Sequence, residues 1–209
     1  MSLHIGDTAP DFTADSTIGE ISLHEWAGDS WVFFFSHPAD FTPVCTTEMG
    51  RTAQLADQFA ARNTKPLGLS TDTAAEHLKW ISDVNETQHT SLQFPIVADP
   101  DLKIAKLYDM IHPEESETAA VRSVFIIDPD KKLRLTMTYP MNVGRNFDEI
   151  LRVIDALQLS DAKNIATPAD WNLGKKVIIP PSIKDDEAKT LFPQGWDELR
   201  PYLRLTDVT

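Results

Sequence analysis

Cysteine is almost absent from this chain of 209 residues, in which Cys45 is the only one. A single cysteine excludes an intramolecular disulfide and a cysteine-rich metal site. The fold does not need such staples, because a chain of this length buries about 70% of its unfolded surface. Cys45 is therefore either a small buried apolar residue or a reactive thiol whose chemistry another molecule completes.

Positive charge is also scarce. The chain has 19 Lys and Arg against 32 Asp and Glu, a net charge of −13, and its first 50 residues contain no Lys or Arg. Such a charge repels nucleic acids and anionic membranes, so we expect no nucleic-acid partner. Any cation that acts on Cys45 must come from later in the sequence.

Long apolar runs and targeting signals are missing as well. No apolar run approaches the roughly 18–20 residues of a membrane span. The first residues lack the basic and apolar regions of a signal peptide, which predicts a cytoplasmic protein. The histidines show no metal-ligand spacing, and we expect no metal, haem or flavin cofactor; they stand at positions 4, 24, 37, 77, 89 and 112.

Apolar runs alternate with amphipathic segments along residues 1–159, which predicts an α/β domain. Trp31–Phe35 has the continuous apolar character of a strand buried on both faces. A turn-rich loop follows, and a helix is expected from there to about Arg62. The remaining predicted elements are strands at 65–70, 94–98, 121–128 and 133–139, and helices at 74–84, 102–108 and 147–159.

Residues 160–209 form a second, smaller unit in this interpretation. They contain five prolines and carry a net charge of only −1, against −12 for residues 1–159. Several of their residues are large and apolar, among them Trp171, Val177, Ile179, Phe192 and Trp196. A nearly neutral apolar segment attached to an acidic domain predicts a surface that packs on the main domain or on a second subunit.

Cys45 lies where a helix is expected to begin. Thr42 is a good N-cap residue, and Pro43 then occupies the first helical position, where its missing N–H costs nothing. Cys45 falls two residues later, in the first turn, where free N–H groups and the helix dipole favour a negative charge. This placement favours the thiolate and predicts a reactive sulfur.

The spacing Pro38-x-x-x-Thr42-x-x-Cys45 resembles the active-site signature of peroxiredoxins, members of the AhpC/TSA family. The wider run from residue 35 to 48, FSHPADFTPVCTTE, is similar to the one-cysteine branch, the peroxiredoxin 6 subfamily. Similar motifs occur at residues 122, 128–133, 139–140, 144–152, 166–171 and 189–193, so the resemblance covers essentially the whole chain. It implies a thioredoxin-like fold with peroxiredoxin insertions and a C-terminal extension that forms a homodimer, with higher oligomers left open.

The resemblance implies that the chain is a thiol-dependent peroxidase. Cys45 would attack hydrogen peroxide or an organic hydroperoxide and become a sulfenic acid. No second cysteine can resolve that acid, so glutathione, another small thiol or a thioredoxin-like protein must do so. Thr42 would direct its hydroxyl at sulfur and peroxide, and Pro38 would shape the pocket wall.

The family's arginines and a histidine extend the predicted site. Arg122 matches the arginine beside the thiolate, and Arg145 matches a second arginine that contacts substrate or forms ion pairs at the start of the next helix. His37 corresponds to a histidine near the sulfur in this subfamily, which implies contact with the substrate, orientation of the loop or assistance to the resolving thiol. Glu48 is expected to pair with an arginine rather than to touch peroxide.

Other functions stay open at this level. Proteins of this family can act as peroxide sensors or holdase chaperones. Some subfamily members also have a phospholipase A2-type activity at a serine in Gly-Asp-Ser-Trp-Gly, and here the run is Gly28-Asp-Ser30-Trp-Val32, with His24 and Asp130 at the partner positions. Because a valine replaces the last glycine, a simple turn before a strand is the favoured interpretation of Ser30.

Overall fold

The structure is a computed structural model that describes residues 3–208. The chain divides into two compact units, of which the first ends at Phe147 and the second begins at Asp148. The first unit alternates strands and helices, as predicted. Its elements are β1 (Thr13–Ala14), β2 (Ile21–Ser22), α1 (Leu23–Ala27), β3 (Trp31–Ser36), α2 (Pro43–Gln54), α3 (Ala56–Ala60), β4 (Thr64–Ser70), α4 (Ala74–Gln88), β5 (Ile96–Ala98), α5 (Lys103–Leu107), β6 (Arg122–Ile127) and β7 (Leu133–Tyr139).

A five-stranded sheet in the order β5-β4-β3-β6-β7 forms the centre of this unit. The pairs β3–β4 and β4–β5 are parallel, whereas β3–β6 and β6–β7 are antiparallel. Every residue of β3 is buried, in agreement with its apolar sequence. Because side chains alternate along a strand, Phe33 and Phe35 stack on one face while Phe34 packs against Tyr108 on the other. The predicted α/β fold is confirmed.

The prediction of a single helix from the loop to about Arg62 is wrong in one respect, because this segment forms two helices, α2 and α3. The chain turns at Leu55, whose backbone N–H donates to the carbonyl oxygens of Arg51 and Thr52. This residue is buried, and a new helix, α3, begins after it. The apolar periodicity of residues 43–62 does not reveal such a break, because both helices bury residues of the same pattern.

Helix α4 is longer than its pattern suggested, running to Gln88 rather than to residue 84. A capping box at its start joins Thr73 and Glu76: the Thr73 hydroxyl accepts from the Glu76 N–H, and the Glu76 carboxylate accepts from the Thr73 N–H. His89, in the left-handed conformation, ends the helix. The capping box stabilises the start of α4 and so fixes the buried residues of this helix relative to the sheet.

The second unit contains more regular structure than the sequence indicated. Its elements are α6 (Phe147–Lys163), β8 (Val177–Ile179), α7 (Asp185–Leu191), β9 (Asp197–Arg200) and β10 (Leu203–Thr206). The three strands form an antiparallel sheet in the order β8-β10-β9. A small core contains Trp171, Val177, Ile179 and Phe192, four of the apolar residues assigned above to a packing surface.

The domain boundary after residue 159 stays a prediction, and α6 continues through it to Lys163. Among residues 3–208, no helix has both the length and the apolar character needed to cross a bilayer.

Candidate active site

Cys45 lies in the first turn of α2, at the position that the sequence predicted, and its side chain is fully buried. Thr42 is the N-cap residue and Pro43 the first helical residue. The Thr42 hydroxyl, however, makes no capping hydrogen bond and instead donates to the Ala39 carbonyl at 2.8 Å. Its proton is thereby engaged, so its oxygen is left to accept a hydrogen bond from another group.

Arg122 is the cation that reaches the sulfur. It begins β6, which pairs with β3 and so lies beside the loop that leads into α2. Its Nη1 is 3.3 Å from Cys45 Sγ. Its Nε and Nη2 donate to the Met141 carbonyl at 2.9 and 2.6 Å, which fixes the plane of the guanidinium. The geometry matches the position that the resemblance implied for this arginine.

Glu48 joins Arg122 to Arg145, one turn after Cys45. Its Oε2 accepts from Arg122 Nη1 at 2.8 Å and from Arg145 Nη2 at 2.6 Å, and its Oε1 accepts from Arg145 Nε at 2.9 Å. All three side chains are at least 97% buried. Burial acts to raise the pKa of Glu48, but the two guanidinium groups outweigh it and hold that pKa below its usual value. The expected pairing of Glu48 with arginine is confirmed.

The charges of this group do not cancel. Two buried arginines face one ionised glutamate, which leaves one positive charge in the interior. A buried charge needs a partner, and the Cys45 sulfur beside Arg122 can supply the negative charge as a thiolate. The Cys45 sulfur therefore lies beside the one positive charge that Glu48 does not balance.

Arg145 serves this group by holding Glu48. Besides its bonds to the carboxylate, its Nη1 donates to the Ser36 and Ser123 carbonyls, and its guanidinium lies over the ring of Phe35. An ion pair at the start of α6 was the alternative considered above, and the bonds to Glu48 place this side chain in the interior instead. Direct contact of Arg145 with substrate stays a prediction.

His37 lies at the end of β3, fully buried, and its Nε2 is 2.8 Å from Asp40 Oδ1. Burial lowers the pKa of His37 below its ordinary value. Pro38, the next residue, is buried in the loop wall. The other oxygen of Asp40 is 2.6 Å from Nδ1 of His77 on α4, a residue that the sequence did not assign to the site. No local pattern indicates His77, because 37 residues separate it from Asp40.

The ligand atoms of His37, Asp40 and His77 lie within 4.8 Å of one another, close enough for a metal ion to be considered. The two N···O distances, 2.8 and 2.6 Å, are those of hydrogen bonds. Two ligand atoms held at about 2.0–2.2 Å from a tetrahedral ion would lie farther apart than this. The residues therefore form a hydrogen-bonded group and do not fit a metal centre.

An open cleft of about 380 Å³ adjoins the first turn of α2. Thr42 and Thr46 line it together with the rings of Phe41 and Trp80, whose centroids are 6.4 Å apart. Phe41 is 53% exposed, whereas Trp80 is buried and donates from Nε1 to the Thr46 hydroxyl. The cleft therefore lies beside the N-terminal turn of α2, on the side of Thr42 and Thr46.

Ser30 lies in the turn before β3 and has a different chemical environment from a hydrolase nucleophile. Its hydroxyl donates to Asn63 Oδ1 at 3.0 Å. His24 Nε2 is 2.8 Å from the Ala9 carbonyl, so it is engaged with backbone. A hydroxyl that donates to an amide oxygen is not activated by a base, which favours the structural interpretation of Ser30.

The chain matches known proteins along nearly its whole length. Residues 5–136 match the AhpC/TSA family, and residues 156–195 match the C-terminal domain of 1-Cys peroxiredoxin. A 1-Cys peroxiredoxin of Dictyostelium discoideum is 52% identical over 98% of this chain and 85% of its own length. The yeast mitochondrial 1-Cys peroxiredoxin structure has a TM-score of 0.93 at 48% identity, covering 99% of this chain and all of that one. The structure of a mutant peroxiredoxin 6 of Arenicola marina has a TM-score of 0.93 at 44% identity, covering 99% of this chain and 98% of that one.

A thioredoxin-like sheet with a buried cysteine beside a fixed arginine defines a thiol peroxidase of the AhpC/TSA family, and this chain belongs to that family. Within it, the single cysteine and the C-terminal domain identify the chain as a 1-Cys peroxiredoxin. The peroxidase class expected from the sequence is confirmed.

Proposed function

We propose that this enzyme reduces hydrogen peroxide and organic hydroperoxides at Cys45. The thiolate attacks the terminal peroxide oxygen, an S–O bond forms as the O–O bond breaks, and the leaving oxygen takes a proton to become water or an alcohol. Sulfur is oxidised to the sulfenic acid and the peroxide is reduced. The observation that carries this proposal is Arg122 Nη1 at 3.3 Å from the sulfur, in a group with one unbalanced positive charge.

The neighbouring residues have separate roles in that step. The Thr42 oxygen accepts the hydrogen bond of the peroxide O–H, because its own proton is donated to Ala39. Arg122 stabilises the thiolate and the charge that develops on the peroxide oxygens. Pro38 excludes water from the sulfenic acid, and His37 and Arg145 support the loop and Glu48 respectively.

An external thiol completes the cycle in this proposal. The thiol displaces water from the sulfenic acid to give a mixed disulfide, and a second thiol releases Cys45 and leaves as the oxidised disulfide. Glutathione, another small thiol or a thioredoxin-like protein can fill this role. The yeast relative supports this, since its structure concerns thiol resolution by glutathione and thioredoxin systems. Such reductants are plentiful in the cytoplasm, where we place the enzyme.

Peroxide consumption with a panel of thiol donors tests the proposal. We expect turnover with at least one of dithiothreitol, glutathione with glutaredoxin, or reduced thioredoxin. Stoichiometric loss of one peroxide per Cys45 without turnover, together with oxidation of a partner protein, would instead establish the peroxide sensor.

Arg122→Ala is expected to slow the reaction of Cys45 with peroxide by about ten- to a hundredfold, because a charge-assisted contact contributes about 1.5–3 kcal/mol. The variant should also need a higher pH to react with an alkylating probe such as iodoacetamide. Arg122→Lys, which keeps the charge, is the matched control. Its peroxide rate and its alkylation pH should lie between those of wild type and Arg122→Ala. An alkylation profile identical to wild type would show that Arg122 does not stabilise the thiolate.

We also propose that the chain forms a homodimer through its second unit. Several large apolar side chains of this unit are in its own core, but Leu173, Leu199 and Tyr202 are more than half exposed. Every residue of β9 is exposed, and β9 is an edge strand whose backbone can pair with another chain. These residues, rather than Trp171 or Phe192, are the candidates for the interface.

Sedimentation of a Leu199→Glu, Tyr202→Glu variant tests the dimer, because two buried negative charges oppose association. We expect wild type to sediment as a dimer and the variant as a monomer or a markedly weaker dimer. Leu78→Glu is the control, since Leu78 is equally exposed but lies on α4 of the first unit. If the variant and wild type sediment alike, β9 is not the interface.

A further inference from the structure

The hydrogen bonds of the buried group of His37, Asp40 and His77 require one proton more than a carboxylate and two neutral imidazoles would supply. His77 Nε2 is 3.2 Å from the Val97 carbonyl and its Nδ1 is 2.6 Å from Asp40 Oδ2. A carbonyl oxygen can only accept, so Nε2 carries a proton. An ionised carboxylate can also only accept, so Nδ1 carries one too. His77 is then an imidazolium, unless the second proton belongs to Asp40.

The surroundings favour the ionised carboxylate. Burial acts to raise the pKa of Asp40, but the hydrogen bonds from His37 and His77 outweigh it, and the pKa lies below its usual value. Two further carboxylates act on the same group: Asp72, which follows β4 and accepts from the Asp40 N–H, and Glu76 in the first turn of α4.

His37 has the opposite proton arrangement. Its Nε2 donates to Asp40, and within residues 3–208 its Nδ1 is buried without a hydrogen-bond partner. A neutral imidazole with one N–H has a bare lone pair on its other nitrogen. The lowered pKa of His37 is consistent with that neutral form. Asp40 thus accepts from one cationic and one neutral histidine.

We propose that His77 is a positioning residue of the peroxidase reaction: its imidazolium holds Asp40, and Asp40 in turn holds the loop before α2 and fixes His37 as the Nε2–H tautomer. This inference rests on the proposed peroxide reaction of Cys45. The residues on both sides of Asp40 constrain this loop: the Ala39 carbonyl accepts from the Thr42 hydroxyl, and Phe41 has a strained positive φ of 54°. A loop with these constraints needs a fixed anchor. Asp40 supplies it, because its carboxylate is hydrogen-bonded to both His37 and His77.

Nitrogen NMR of protein labelled with ¹⁵N-histidine tests the proton arrangement. At pH 7.5 we expect two protonated nitrogens for His77, because both of its neighbours are acceptors, and one bare nitrogen, Nδ1, for His37. Substitution of each histidine in turn, with exposed His4→Gln as the control, assigns the signals. A bare Nδ1 on His77 would place the proton on Asp40 and overturn the proposal.

Kinetics of His77→Gln test the positioning role. Glutamine can still donate a hydrogen bond but carries no charge, and we expect the rate constant for peroxide to fall about tenfold or more. The pH midpoint of Cys45 alkylation should not change, because the Arg122–Glu48–Arg145 group remains. Loss of both peroxide reactivity and the alkylation profile would indicate a merely structural role, and loss of neither would show that His77 does not position the site.

Asp40→Asn provides a second test of the same chain of contacts. If His77 acts through Asp40, the double variant that combines His77→Gln with Asp40→Asn should react with peroxide no more slowly than Asp40→Asn alone. Additive losses would overturn the proposal. The proposed function is tested separately from this inference. It is refuted if wild type does not react with peroxide, whereas the NMR result decides the proton arrangement in either case.

Discussion

Replacing Cys45 with serine is expected to abolish peroxide turnover while leaving the protein folded. Sulfur is the nucleophile because its thiolate can form near neutral pH, whereas a serine hydroxyl beside Arg122 stays un-ionised and attacks the O–O bond poorly. Serine is close to cysteine in size, and Cys45, as the only cysteine of the chain, takes part in no intramolecular disulfide. Peroxide consumption with the best thiol donor measures the effect, and unfolding by urea measures stability.

Thr47→Ser is the matched control for this variant, since Thr47 is an exposed hydroxyl residue two positions further along α2. It should keep wild-type turnover. After exposure to excess peroxide, wild type should gain one to three oxygens on Cys45, because no second cysteine traps the sulfenic acid. Turnover of the serine variant above a few per cent of wild type would refute Cys45 as the nucleophile.

Glu48→Gln is expected to cost the largest amount of stability, about 3–5 kcal/mol, because it leaves two buried arginines without their carboxylate. Urea unfolding at pH 7 measures this free energy. Glu149→Gln is the control: that glutamate pairs with Arg152 at the surface, 38% exposed, and such pairs contribute about 0–1 kcal/mol. A loss for Glu48→Gln as small as for the control would mean that the buried group does not depend on its anion.

The same variant changes the acid stability. Because the pKa of Glu48 is lower in the folded protein than the ordinary value of 4.5, the unfolded chain takes up this proton first as the pH falls. Wild type therefore loses the contribution of Glu48 as the pH drops below about 4.5 and through the folded-state pKa. Glu48→Gln has no proton to take up, so its free energy of unfolding should decline less steeply over that range.

The sequence by itself determined the local features of this protein. The apolar run of β3 predicts a strand buried on both faces, and Thr42, Pro43 and Cys45 predict the start of α2 from cap chemistry alone. The strand and the start of α2 are where these residues predict them, because strand burial and a proline at the first helical position act within a few residues. The motif around Cys45 also carried the family resemblance, and with it the expected roles of Arg122 and Arg145.

Only the tertiary structure decided which distant residues meet. The pairing of β6 with β3 brings Arg122 to the sulfur, and the position of α4 brings His77 to Asp40 across 37 residues. The Thr42 hydroxyl illustrates the same limit at short range, because it donates to a loop carbonyl instead of capping the helix. Contacts of this kind depend on how the elements pack in three dimensions, and residue spacing along the chain does not encode them.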